Sequence, residues 1–125
     1  MKTHQREILI YFHPDSSNDR KTVAHAKSIS KHVKTYAFSQ VPSTTTSWQT
    51  ILSALDMHPK EIMNKANPYY QEHLRGKDFD RDSWLNVLCK NPGLIKAPIA
   101  IRGKQVILCN SATDIHKLME SAPIV

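Results

Sequence analysis

Apolar and polar positions change period several times along the chain. Residues 7 to 12, EILIYF, form a continuous apolar, β-rich run, which predicts a buried strand. From Ser17 to about His32 the period becomes helical. Val23, Ala26, Ile29 and Val33 recur on one side, and Lys27, Lys31 and Lys34 fall opposite. The stretch VKTYAFS alternates, as a half-exposed second strand does. A helix between the two strands makes them parallel. The polar loop SQVPSTTTSWQ follows, and its hydroxyls can cap a helix carrying Trp48, Ile51, Leu52 and Leu55. DMHPKEIMNKAN predicts another helix, with Pro59 in its first turn and Ile62, Met63 and Ala66 inward. PYYQEHLRGKDFD adds a helical turn and a glycine loop. Asp80 or Asp82 then caps a helix bearing Trp84, Leu85, Val87 and Leu88, which Pro92 and Gly93 stop. Two short apolar runs around RGKQ, Ile99–Ile101 and Val106–Leu108, predict an antiparallel hairpin. A last helix places Ile115, Leu118 and Met119 on one face.

Composition narrows the classes this pattern could serve. A chain of 125 residues, 40% apolar and 22% charged, suits one domain with its own core, here spanning residues 1–125. No apolar run approaches the roughly 20 residues a membrane helix needs. The start, MKTHQREILIYF, is too short in its apolar part for a secretion signal, so a cytoplasmic protein is expected. The formal charge of +6 admits nucleic acid, acidic partners or small anions. It is scattered, however, and no basic block interleaves with aromatics. Direct nucleic-acid binding and membrane association are therefore not expected. The seven histidines include no pair at i, i+4 spacing, and the two cysteines, Cys89 and Cys109, stand twenty residues apart. Neither spacing is that of a metal site, and no cofactor is expected.

The chemistry concentrates at the end of the first strand, in FHPDSSNDRKT. A Pro, two successive hydroxyls and Arg20 on the first helical turn form a junction that could cap a helix or cradle a small anion. Ser16 or Ser17 is the expected cap, with Asp15 and Asp19 opposing an anion. Ser16 as a hydrolytic nucleophile would need a base. His13 lies three residues upstream without a recognisable carboxylate to orient it, so it is read as a loop residue bonding backbone. Cys89 lies on the apolar helix face and is expected in the core. Cys109 ends the last strand and is the candidate for an exposed, reactive thiol.

Three stretches together resemble the arsenate reductase (ArsC) and Spx family of thioredoxin-fold proteins. FHPDSSNDRKT is similar to the family's strand-end loop, in which Asn-Pro-any-Cys-Ser is followed by an arginine. His13, Pro14, Ser17 and Arg20 fit that frame. LDMHPKEIMNKANPYYQEH resembles the family's insertion helices. NPGLIKAPIAI resembles the segment that carries the fold's cis proline, here Pro98. The resemblance covers about residues 7 to 120. It implies an α/β thioredoxin-like fold: a mixed four-stranded sheet in the order second, first, third, fourth strand, flanking helices, and an ArsC-type helical insertion. It also implies a cis Ala97–Pro98 peptide.

The departures from the family pattern bear on function. The reductase cysteine falls on Ser16, and the second cysteine of a redox-sensing Spx pair falls on Asp19. The family's three arginines fall on Ala97 (with Lys96 beside it), near Asn64 and near Asn110. Arsenate reduction needs a thiolate that attacks arsenic and later enters a mixed disulfide with glutathione. A serine hydroxyl cannot be oxidised to a disulfide, and neither Ala nor Asn replaces a bidentate guanidinium. The sequence therefore reads as a pseudoenzyme, a non-catalytic binding or regulatory member without catalytic residues. Its anion or partner site would draw on Ser16, Ser17, Arg20, Lys96 and Pro98. The partner would be a protein, as in Spx, or a small anion or glutathione. The alternative is a glutathione/glutaredoxin-linked thiol oxidoreductase working through Cys109.

Overall fold

The computed structural model describes residues 7–41 and 43–120, and the side chains of residues 119 and 120 lie outside the description. Met119, expected on the apolar face of the last helix, is one of these. The chain forms two compact units, one made of residues 1–41 with 97–125 and the other of residues 42–96.

The first unit holds the sheet. Its strands are β1 (Ile8–Phe12), β2 (Val33–Ala37), β3 (Ile99–Arg102) and β4 (Gln105–Leu108), in the order β2-β1-β3-β4. β1 runs parallel to β2, with α1 (Ser17–Ile29) between them in sequence, and antiparallel to β3. β3 and β4 form the expected hairpin, closed at Gly103, whose φ of +61° is one that residues with a Cβ rarely adopt. Ile8 and Ile10 alternate onto one face with Ala100. Val23 and Ala26 of α1 cover that face together with Ile115 and Leu118 from the C-terminal end. The last helix is short: a 3₁₀ turn (Ala112–Ile115) leads into α4 (His116–Glu120). This core is the α1 and terminal-helix periodicity read from the sequence. Each fully buried Ile or Leu contributes roughly 1.5–3 kcal/mol relative to an exposed one.

The second unit contains α2 (Thr45–Leu55) and α3 (Arg81–Lys90). Trp48, Leu52, Trp84 and Leu88 are buried. The Trp48 indole N–H donates to Ser43 Oγ at 2.8 Å, which satisfies its one polar atom. Asp56, at φ +53°, ends α2 in the left-handed conformation that Asp tolerates. The helix expected over DMHPKEIMNKAN is absent, and residues 57–67 form turns and the isolated bridge of Met63 to Ile95 instead. The reasons are local and long-range. Asn64 Oδ1 accepts from the Ala66 amide at 3.0 Å and Asn67 Oδ1 from the Tyr69 amide at 2.8 Å, side-chain bonds that compete with a helix. Pro68 disfavours helical geometry at Asn67. The backbone pairs elsewhere: the Asn64 amide donates to Leu94 O at 2.6 Å and the Lys96 amide to Ile62 O at 2.9 Å. Ile62 and Met63 are buried as expected, whereas Ala66 is exposed. The turn expected in PYYQEHLRG is a π-helical one at Tyr70–Leu74.

Among the described residues no peptide bond is cis, so the expected cis Ala97–Pro98 bond is trans. Trans is the lower-energy state for X–Pro bonds generally. Pro98 is nonetheless built into the sheet, since its carbonyl accepts the Cys109 amide at 2.8 Å.

Candidate functional site

The junction between β1 and α1 is organised around Asp19. Ser16 is the N-cap of α1, as one of the two serines was expected to be. Its Oγ accepts the Asp19 amide at 3.2 Å, and its hydroxyl donates to Asp19 Oδ1 at 3.1 Å. Asp19 Oδ2 accepts the His13 amide at 2.8 Å. The Asp19 residue is only 4% exposed. One carboxylate thus takes the Ser16 hydroxyl with one oxygen and a loop amide with the other. Backbone bonds from Ser16 N to His13 O and from Arg20 N to Ser16 O, both 3.0 Å, complete the junction. The His13 ring lies against Phe38, with centroids 4.6 Å apart, while its backbone amide and carbonyl make the bonds of the junction.

The other expected site residues are placed as follows. Ser17 is the first residue of α1 and exposed. Arg20 is exposed, and its guanidinium folds back to donate to Pro14 O at 2.8 Å, bracing the loop. Pro98 is buried at the start of β3. Lys96 belongs to the second unit, where it is exposed and bonds Ile62 through its amide. Asn64, in the same unit, spends its carboxamide oxygen on a local turn. Asn110 is exposed.

Neither thiol lies where it was expected, and neither is placed as a reactive one. Cys109, expected as the exposed and reactive one, is 2% exposed. Burial, joined by the charges of Asp114 and Asp19, pushes its pKa up to about 12 against the smaller opposing pull of Lys117. It closes the apolar face beside Ala100 and Ile115, because a strand end covered by the terminal helix is interior. Cys89, expected in the core, is half-buried, and desolvation raises its pKa as well. A raised pKa leaves less thiolate, and the thiolate is the reactive form. Asp114 itself is held below the usual carboxylate range. Burial pushes it up, but the amides of Ser111 and Asn110 and the Lys117 ammonium outweigh that effect.

The residue that sequence reasoning undervalued is Asp19. Its spacing from Ser16 is that of a capping box, hydroxyl and acid three apart, and this was the available signal. Its burial and its reach back to His13 depend on the packing of α1 on the sheet, which no local pattern shows.

Comparison with known proteins agrees with this frame. The family model for the ArsC family matches residues 11–118. No curated protein matches the sequence. Among solved structures, the chain is similar to a Yersinia pestis protein assigned as an arsenate reductase, with TM-score 0.78 and 19% identity over 91% of this chain and 99% of that one. It is also similar to an arsenate reductase from Vibrio cholerae (0.75, 16%, covering 94% and 98%). An ArsC family related protein from Bacteroides fragilis matches too (0.77, 16%, covering 90% and 98%). At these identities the structures speak for the fold: the mixed sheet and flanking helices are those of the thioredoxin-like ArsC proteins. With nearly the whole described chain inside the family match, the protein belongs to the ArsC family.

Proposed function

We propose that this ArsC-family protein is non-catalytic and serves as a binding or regulatory protein. The observation that carries the reading is the buried Asp19 carboxylate bonded to the Ser16 hydroxyl and the His13 amide. A negative charge bonded to the nucleophile position repels both an arsenate oxyanion and a thiolate. The Ser16 hydroxyl and the Asp19 carboxylate spend their bonds on each other and on the loop. The rival reading, a thiol oxidoreductase working through Cys109, requires a thiolate from a buried group whose pKa stands near 12. As in Spx, the surface rather than the old site would then carry function, and the partner would be a protein. Residence in the cytoplasm accords with this reading, and among the described residues no helix is long and apolar enough to cross a membrane.

The test is arsenate reduction with glutathione and glutaredoxin, followed by NADPH consumption. The wild-type chain is expected to match the no-protein control, and so is Ser16→Cys, because Asp19 remains and the arginines are missing. Turnover that disappears on Cys109→Ala would establish the rival. Affinity capture of a stoichiometric protein partner from native lysate is the positive arm.

A further inference from the structure

The fold brings together two histidines that lie 91 residues apart. His25, on α1, and His116, the first residue of α4, approach to 2.8 Å between their Nε2 atoms, with ring centroids 4.8 Å apart and planes at 74°. Both side chains are half-buried, so water reaches them. One Nε2–H donates to the other's lone pair, which makes the accepting ring a neutral Nδ1–H tautomer.

We propose that His25 and His116 form a binding site for a divalent transition-metal ion that clasps the C-terminal helix to α1. Imidazole nitrogens bind such ions at about 2.0–2.1 Å, so two of them at 90° stand about 2.9 Å apart, and at a tetrahedral angle about 3.3 Å. The observed 2.8 Å is that of the hydrogen bond, and it brings both imidazole nitrogens within reach of one ion; imidazole ligands suit Ni²⁺, Cu²⁺ and Zn²⁺. Water fills the remaining positions, since among the described residues no third histidine, cysteine or carboxylate completes a cluster. The chemistry balances without a co-reactant. The proton on the donating Nε2 moves through solvent to Nδ1 of the same ring, which frees the second lone pair. The nearest cations do not block this. Lys117 is paired with Asp114 at 3.3 Å, and Lys21, one helical turn before His25, is exposed. The site is useful to the fold because the turn and α4 bring Ile115 and Leu118 into the same core as Cys109, Val23 and Ala26.

The experiment titrates Ni²⁺ into the full-length protein and follows the histidine ring signals by NMR, then compares thermal midpoints with Ni²⁺ and with EDTA. The His25 and His116 signals should broaden at lower Ni²⁺ than those of His4, His13, His32, His58 and His73. The wild-type midpoint should rise, since an ion at a hundred times its Kd raises the folding constant about 100-fold. The rise should vanish in His25→Gln and His116→Gln. Broadening that begins at other histidines overturns the proposal, as does a midpoint that does not move or that rises equally in the variants. Should a variant fail to fold, the ranking of ring signals in the wild type still decides.

Discussion

The N-termini of α1 and α2 are built on the same four-residue frame and reach different ends. At α2, Thr44 Oγ1 accepts the Ser47 amide at 3.1 Å, and Ser47 Oγ answers by accepting the Thr44 amide at 3.2 Å. Thr44 is exposed and Ser47 half-buried, and both are neutral groups that cap the helix. At α1 the partner of Ser16 is not a second hydroxyl but Asp19, which is buried and reaches past the cap to the His13 amide. A hydroxyl at this third helical position closes a cap. A carboxylate there also stitches the end of β1 to α1 and complements the helix dipole. On the proposed reading this carboxylate occupies the place where an ArsC reductase would hold its nucleophile. One change of residue type in one frame thus separates a cap that ends at the helix from one tied into the fold.

The largest expected effect sharpens this contrast. Asp19→Ala removes a buried carboxylate and strands two donors, so it should destabilise the protein by about 2–3 kcal/mol in urea unfolding. Ser47→Ala, at the equivalent position of α2, should cost no more than about 0.5 kcal/mol, because its partners remain in water. Equal costs would break the comparison. Next in size, the caps themselves should be alike. Ser16→Ala and Thr44→Ala should each cost on the order of 1 kcal/mol, measured the same way. A much larger loss for Ser16→Ala would mean that its donation to Asp19, rather than its capping, dominates.

A third prediction concerns what the blocked site conceals. In a Ser16→Cys background, labelling by a disulfide reagent at pH 7 should be slow. Adding Asp19→Asn should accelerate it about tenfold, the rate equivalent of removing one pKa unit of carboxylate repulsion. Identical rates in the two backgrounds would show that the charge of Asp19 does not govern chemistry at this position.

Much of the fold was legible because it rests on period. The continuous apolar run over residues 7–12, the helical spacing of Val23 and Ala26 and the two apolar runs around RGKQ each predicted an element that the structure contains. The failures share a cause. The segment around Asn64 and Asn67 has helix-compatible spacing, but its fate was decided by the backbone of Leu94 and Lys96, far along the chain. Cys109 and Cys89 were assigned from strand-end and helix-face positions, whereas their burial follows from what packs over them. The candidate site was half legible. Ser16 as cap and Arg20 beside the loop follow from local order. The burial of Asp19 and the meeting of His25 with His116 are products of tertiary packing.

The smallest effect tests how far the charge of Asp19 is felt. Cys109 lies near enough to Asp19 for that charge to help raise its pKa, after burial and Asp114. In the unfolded chain this thiol loses its proton near its ordinary value of 9.0, while in the fold it holds the proton to about 12. Between those values the folded state binds the extra proton, so stability must fall as pH rises. The loss is negligible well below pH 9 and reaches about 1 kcal/mol by pH 10. Tyr11, also raised, chiefly by burial, adds a loss of the same sign at higher pH. Cys109→Ala removes the Cys109 part and leaves those of Tyr11 and of Cys89, whose pKa is also raised, so the difference between the two stability curves isolates Cys109. Asp19→Asn should narrow the interval only slightly, because burial remains. The expected change at pH 10 is therefore a few tenths of a kcal/mol at most. A variant that abolished the alkaline slope altogether would mean that charge, not desolvation, keeps this thiol protonated. The α1 junction would then reach further into the core than a cap and six residues of loop.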